Sequence, residues 1–107
     1  MEITIFWTDF SKTALQKIFS YYKENASINV AKNLVLAIVG KTTILKTHPN
    51  IGAKEELLKE RKENFRYLLF KNYKIIYWIN MEKNRIEIAD VFDTRQNPVK
   101  MRKLKQR

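Results

Sequence analysis

The chain contains no cysteine, which excludes disulfides, thiolate nucleophiles and cysteine-ligated zinc and makes a reducing cytoplasm its expected setting. With a single histidine, any metal chemistry would have to rest on carboxylates, so neither a metal nor a cofactor is expected. Two glycines and two prolines leave no room for a fibrous repeat or a low-complexity segment. No continuous apolar run approaches the roughly 18 residues a membrane helix needs. Met1-Glu2-Ile3 is not a basic segment leading into an apolar one, so neither export nor a membrane partner is expected.

What is present can fold. Hydrophobic residues make up 45% of the chain and aromatics 12%, and 107 residues suffice for one core but not two. Twenty-one Lys or Arg against eleven Asp or Glu give a formal charge of +10. Half of that surplus falls between Pro98 and Arg107, where five basic residues stand with no acidic one. Such a tail is either solvated or in contact with a nucleic acid or an acidic protein. Residues 1–98 are thus expected to form the domain and residues 99–107 a basic C-terminal tail.

From Met1 to Trp7, Ile3, Ile5 and Trp7 alternate with Glu2, Thr4 and Phe6, the period of a half-buried strand. Thr8 or Asp9 then offers an N-cap. Phe10, Ala14, Ile18 and Tyr22 recur every four residues to about Asn25, with Leu15 and Phe19 widening the apolar stripe. Ser27 can cap a second helix whose apolar face is Ala31, Leu34, Val35, Ile38 and Leu45, locally weakened at Gly40. His48-Pro49-Asn50-Ile51-Gly52 ends it, because proline disfavours helical geometry in the residue before it. Lys54 to Asn64 has only Leu57 and Leu58 among its charges and reads as a short edge strand or irregular excursion with a solvated face.

Three strands follow, Phe65 to Lys71, Tyr73 to Ile79 and the run from Arg85 to Pro98, separated by Lys71-Asn72 and Glu82-Lys83-Asn84. Connections this short join antiparallel neighbours, since a parallel pair needs a crossover of about a dozen residues. A helical hairpin must bury its stripe, and one sheet face is the surface available. The expected fold is therefore α+β: a two-layer sandwich in β-α-α-β-β-β order, with an N-terminal helical hairpin packed on a small, mainly antiparallel sheet. The other face is expected to be partly open, with Tyr67, Tyr73, Tyr77, Trp78 and Phe92 either completing the core or lining a docking groove.

This order, the Leu45-x-x-x-Pro49-x-x-Gly52 break, Arg66 opening a central strand, Tyr73-Lys74-Ile75-Ile76-Tyr77 in the next, and Val91-Phe92-Asp93-Thr94-Arg95-Gln96-Asn97-Pro98 at the end together resemble the RelE/ParE superfamily of bacterial toxins, nearer the ParE branch. The resemblance runs from Ile3 to Pro98. It implies a toxin of a type II toxin–antitoxin pair, silenced by an acidic or amphipathic antitoxin that lays a helix or extended segment over it. One branch cleaves messenger RNA on the ribosome; the other poisons DNA gyrase without being a nuclease. Fold does not choose between them.

RNA cleavage without a metal needs a base for the 2′-hydroxyl, cationic donors around the phosphate and an acid for the leaving oxygen. Arg66, Lys74 and Arg95 occupy basic positions of the family and are the catalytic candidates. Ribonuclease members carry a tyrosine or histidine beyond the last strand, yet Thr94 to Arg107 contains neither. His48 falls in a turn, Glu60 and Glu63 lie in the charged segment, and Lys74 can act as a base only if burial lowers its pKa far enough. Arg95 can instead pair locally with Asp90 or Asp93. The residues expected to bind target or antitoxin are Arg66, Tyr67, Lys74, Tyr77, Trp78, Phe92 and Arg95. The leading expectation is a toxin that inhibits gyrase by binding; the alternatives are a ribosome-dependent endoribonuclease and a plain basic binding module.

Overall fold

The computed structural model describes residues 3–104. Met1 and Glu2, read as the start of the first strand, and residues 105–107, read as the end of the basic tail, lie outside the described residues. Strand β1 (Thr4–Trp7) leads into helices α1 (Asp9–Asn25) and α2 (Ile28–Lys41), followed by a 3-10 turn at Thr42–Lys46. Strands β2 (Ala53–Lys54), β3 (Arg66–Phe70), β4 (Tyr73–Asn80) and β5 (Arg85–Asp93) complete the sheet, and a 3-10 helix spans Pro98–Lys103.

Local chemistry sets the helix ends. Thr8 Oγ1 accepts from the Ser11 N–H at 3.2 Å and Ser27 Oγ from the Val30 N–H at 3.1 Å. Each cap satisfies a donor that the first helical turn leaves free and is worth about 1 kcal/mol. By length and composition Ile28–Lys46 would pass for a membrane span. Instead it breaks into α2 and the 3-10 turn and sends Ala31, Ile38 and Leu45 inward.

Among the described residues the strands form one five-stranded sheet in the order β1-β5-β4-β3-β2. Only β1 runs parallel to its neighbour, β5, and it reaches that place through the helical hairpin and the rest of the sheet; the remaining pairs are antiparallel. Strand β5 is buried at every position from Ile86 to Phe92. A strand hidden on both faces needs cover on both. On one side Ile38 and Leu45 meet Leu68, Tyr73, Ile75, Tyr77, Ile86, Ile88 and Val91.

The second face is less open than expected. Leu58, Phe65, Met101 and Leu104 close over Ile76, Ala89 and Phe92 there, with Tyr67 and Trp78 at the rim. Part of the basic tail, expected to be either solvated or in contact with a partner, is therefore packed on the chain itself: Asn97 Oδ1 accepts from the Val99 N–H, and Arg61 donates to the carbonyls of Leu104 and Arg102 at 2.8 and 3.2 Å. Apolar Met101 and Leu104 are what draws this basic segment onto the sheet. The excursion before β3 also departs from a solvated face, since Glu55 and Glu63 are buried. In the β3–β4 turn Lys71, not Asn72, takes the left-handed conformation, with φ 53°, while Asn72 bonds to Asp93 through its side chain.

The break after α2 is fastened by Tyr77. Its hydroxyl donates to the Pro49 carbonyl at 2.7 Å and accepts from the Gly52 N–H at 3.0 Å. A Cβ on Gly52 would lie 2.6 Å from that hydroxyl and 2.7 Å from the Tyr67 carbonyl, so the position admits only glycine without a shift of the sheet edge. Gly40, by contrast, has nothing within 4 Å of an added Cβ. Gly52→Ala should therefore lose about 1–3 kcal/mol of unfolding free energy in a urea titration. Gly40→Ala should gain up to about 1 kcal/mol in the same titration.

Candidate functional site

The parallel pairing of β1 with β5 stops at Trp7 and Ile88. Thr8 ends it by donating through its backbone N–H and its hydroxyl to the Ile88 carbonyl, at 3.2 and 2.8 Å, and then caps α1. Beyond that point β5 runs on to Asp93 without β1 beside it, and α1 crosses above. A groove of about 710 Å³ opens between them. One wall is the face of α1 carrying Phe10, Ala14, Lys17, Ile18, Tyr21 and Tyr22; the other is Asp90 to Asp93 with Tyr73, and Arg95, Gln96 and Lys100 border it. The stripe Phe10, Ala14, Ile18, Tyr22 is thus not wholly a core face. Phe10 is exposed and the other three are half-buried.

At the floor of this groove stands Asp90. A β-bulge precedes it: Ile76 pairs with Asp90 and Tyr77 with Ile88, leaving Ala89 as the extra residue. Bulges bend a strand and re-aim its side chains. Asp90 is 7% exposed, and burial pushes its pKa up to about 6 against the opposing pull of the Val91 N–H and the Lys17 charge. No ion pair involving it forms among the described residues.

The groove's end is a bonded cluster. Asp93 accepts from the backbone and guanidinium of Arg95 at 2.9–3.0 Å and from Asn72 Nδ2 at 3.1 Å. The Arg95 hydrogen bond is the main cause that lowers the Asp93 pKa to about 2. Burial, then the Tyr22 hydroxyl, raises Tyr73 to about 12. Of the two acids considered as partners for Arg95, Asp93 is the one engaged.

The three basic candidates do not converge. Arg66 faces the helices in register with Tyr77, and its Nη1 donates to the carbonyls of Gly52 and Asn50 at 2.8 and 3.3 Å. Lys74 lies on the second face opposite Phe92, its Nζ 2.9 Å from buried Glu55 Oε1 and 4.3 Å from the Tyr67 ring centroid. Arg95 sits beyond β5 at the groove and is 63% exposed on its side chain. Tyr77 and Phe92 are buried, Phe92 also lining the groove, and Tyr67 and Trp78 are half-buried against the second core. His48 is exposed, with Nδ1 2.9 Å from Thr47 Oγ1; Glu60 is exposed and Glu63 buried. No group of three or more metal-ligating acids or histidines is assembled among the described residues.

Glu55, Lys17 and Asp90 escaped the sequence reading as members of a site. Asp90 does leave a trace there, an acid inside the run Ile86-Glu87-Ile88-Ala89-Asp90-Val91-Phe92 that is otherwise apolar but for Glu87.

The pattern of the ParE toxin of the type II toxin–antitoxin system, parDE, matches residues 5–98. The chain belongs to that family. A solved structure described as a chromosomal ParDE TA system from P. aeruginosa is similar to it, with a TM-score of 0.70 and 19% identity over 85% of this chain and 95% of that one. Comparison with the curated proteins returns no match. The chain is thus a ParE-family toxin of a type II toxin–antitoxin system.

Asp90 sets a pH dependence of this toxin's stability. Its folded-state pKa of about 6 lies above the ordinary 3.8, so its contribution is fully present below pH 3.8 and is lost as pH rises through 6. Asp90→Asn should therefore raise the thermal midpoint at pH 7. The gain should shrink as pH falls to 4, as followed by circular dichroism melts across that range.

Proposed function

We propose that this toxin arrests growth in the cytoplasm by binding an essential protein, with DNA gyrase the target favoured by its ParE character, and that its antitoxin neutralises it by covering the binding surface. The observation that carries this reading is the scattering of the three cations. Metal-free RNA cleavage requires cationic donors to close on one phosphate, with an acid and a base beside them. Here Arg66 is spent on turn carbonyls, Lys74 on Glu55 across the sheet, and Arg95 on Asp93 at the far end of β5. Inhibition by binding needs no such convergence. It needs exposed, rigidly held contacts, and Arg95 on its Asp93 support is one.

Purified toxin should inhibit gyrase supercoiling in vitro, and its induction should trigger a DNA-damage response while messenger RNA stays intact. Cuts within codons at the ribosomal A site would overturn the reading in favour of the ribosome-dependent nuclease. Arg95→Ala should reduce growth arrest at least tenfold with an unchanged melting temperature. Undiminished toxicity would remove Arg95 from the contact surface.

A further inference from the structure

We propose that the groove between α1 and the open end of β5 is where the antitoxin seats, and that Asp90 receives a lysine or arginine side chain from it. The proposal rests on neutralisation by a cognate antitoxin and adds the chemistry of the contact. Three observations support it.

The first is the isolation of the carboxylate. Asp90 is more than nine-tenths buried, lines the groove and has no ion-pair partner among the described residues. The Lys17 charge acts on it but does not come within ion-pair distance. A buried carboxylate without a counter-ion costs folding free energy, and a cation supplied by a partner removes that cost on binding. Asn would fill the same space without the penalty.

The second is the shape of the approach. A Lys or Arg reaching Asp90 must pass its aliphatic stem between Phe10, Ala14 and Ile18 on the helix and the side chains of β5. Long basic side chains bury their stems on apolar walls in this way. The third is the sign of the rim. Lys17, Arg95 and Lys100 border the groove, so the residues flanking the anchor on the partner should be acidic, as suits a partner of a chain with net charge +10. A nucleic acid would satisfy the same rim with its phosphates, but would bring negative charge toward a buried carboxylate. The arrangement therefore favours an acidic protein segment with one basic anchor.

The test uses the cognate antitoxin and isothermal titration calorimetry. Asp90→Asn should weaken binding at least tenfold while the toxin's own melting temperature does not fall. Thr13 also lines the groove from α1, and Thr13→Arg, which crowds it, should weaken binding independently. Alanine replacement of each Lys and Arg in the antitoxin should reveal one whose loss matches that of Asp90→Asn and adds nothing when combined with it. Unchanged affinity for Asp90→Asn, or losses that simply add, would overturn the anchor while leaving the toxin–antitoxin pairing intact. Failure of the wild-type toxin to bind that antitoxin at all would overturn both.

Discussion

Everything distinctive in this molecule follows from a mismatch of strand lengths. Strand β5 is nine residues long and β1 only four, and they run parallel from Arg85 to Ile88. Strand β5 is buried from Ile86 to Phe92, yet its last five residues have no strand beside them on that edge. Thr8 sets the length by bonding to Ile88 and capping α1 in the same turn. Had β1 run further, Asp90 would lie beside a strand and α1 would have no groove to overhang. A paired strand leaves nothing to dock against; an unpaired edge backed by a closed core is a firm docking surface.

The order of elements was legible in the sequence because each carried its own local signal: alternation in β1, caps at Thr8 and Ser27, Pro49 in the break, and short connections in the meander. The parallel β1–β5 pairing had no such signal, since it joins segments some eighty residues apart. Cover on the second face was hard to read for a similar reason. Met101 and Leu104 are two apolar residues among five cations, and a pattern that sparse has no period to detect. The same reading credited α1 with a stripe that would be buried, whereas Phe10, Ala14, Ile18 and Tyr22 form a groove wall. Amphipathic periodicity tells which face is apolar, not whether the chain itself supplies the cover.

Charge illustrates the limit of residue type as a guide to site. Arg66, Lys74 and Arg95 are the cations that the family resemblance put forward, but each is engaged with a different internal acceptor on a different part of the sheet. Lys74 answers Glu55, an acid hidden in a segment that looked uniformly solvated. Removing Lys74 would leave that carboxylate buried without a counter-ion, held only by the Leu57 N–H, a loss of fold rather than of chemistry. Asp90, buried in the groove and in no ion pair among the described residues, has the stronger claim to function.

Two surfaces compete for the antitoxin, the groove and the outer face of α2, where Ile28, Leu36 and Val39 are exposed. Hydrogen–deuterium exchange of the toxin alone and in its antitoxin complex separates the two directly. Protection should appear along α1 and from Ala89 to Arg95, with α2 unchanged; protection confined to α2, with the groove still exchanging freely, would contradict the account.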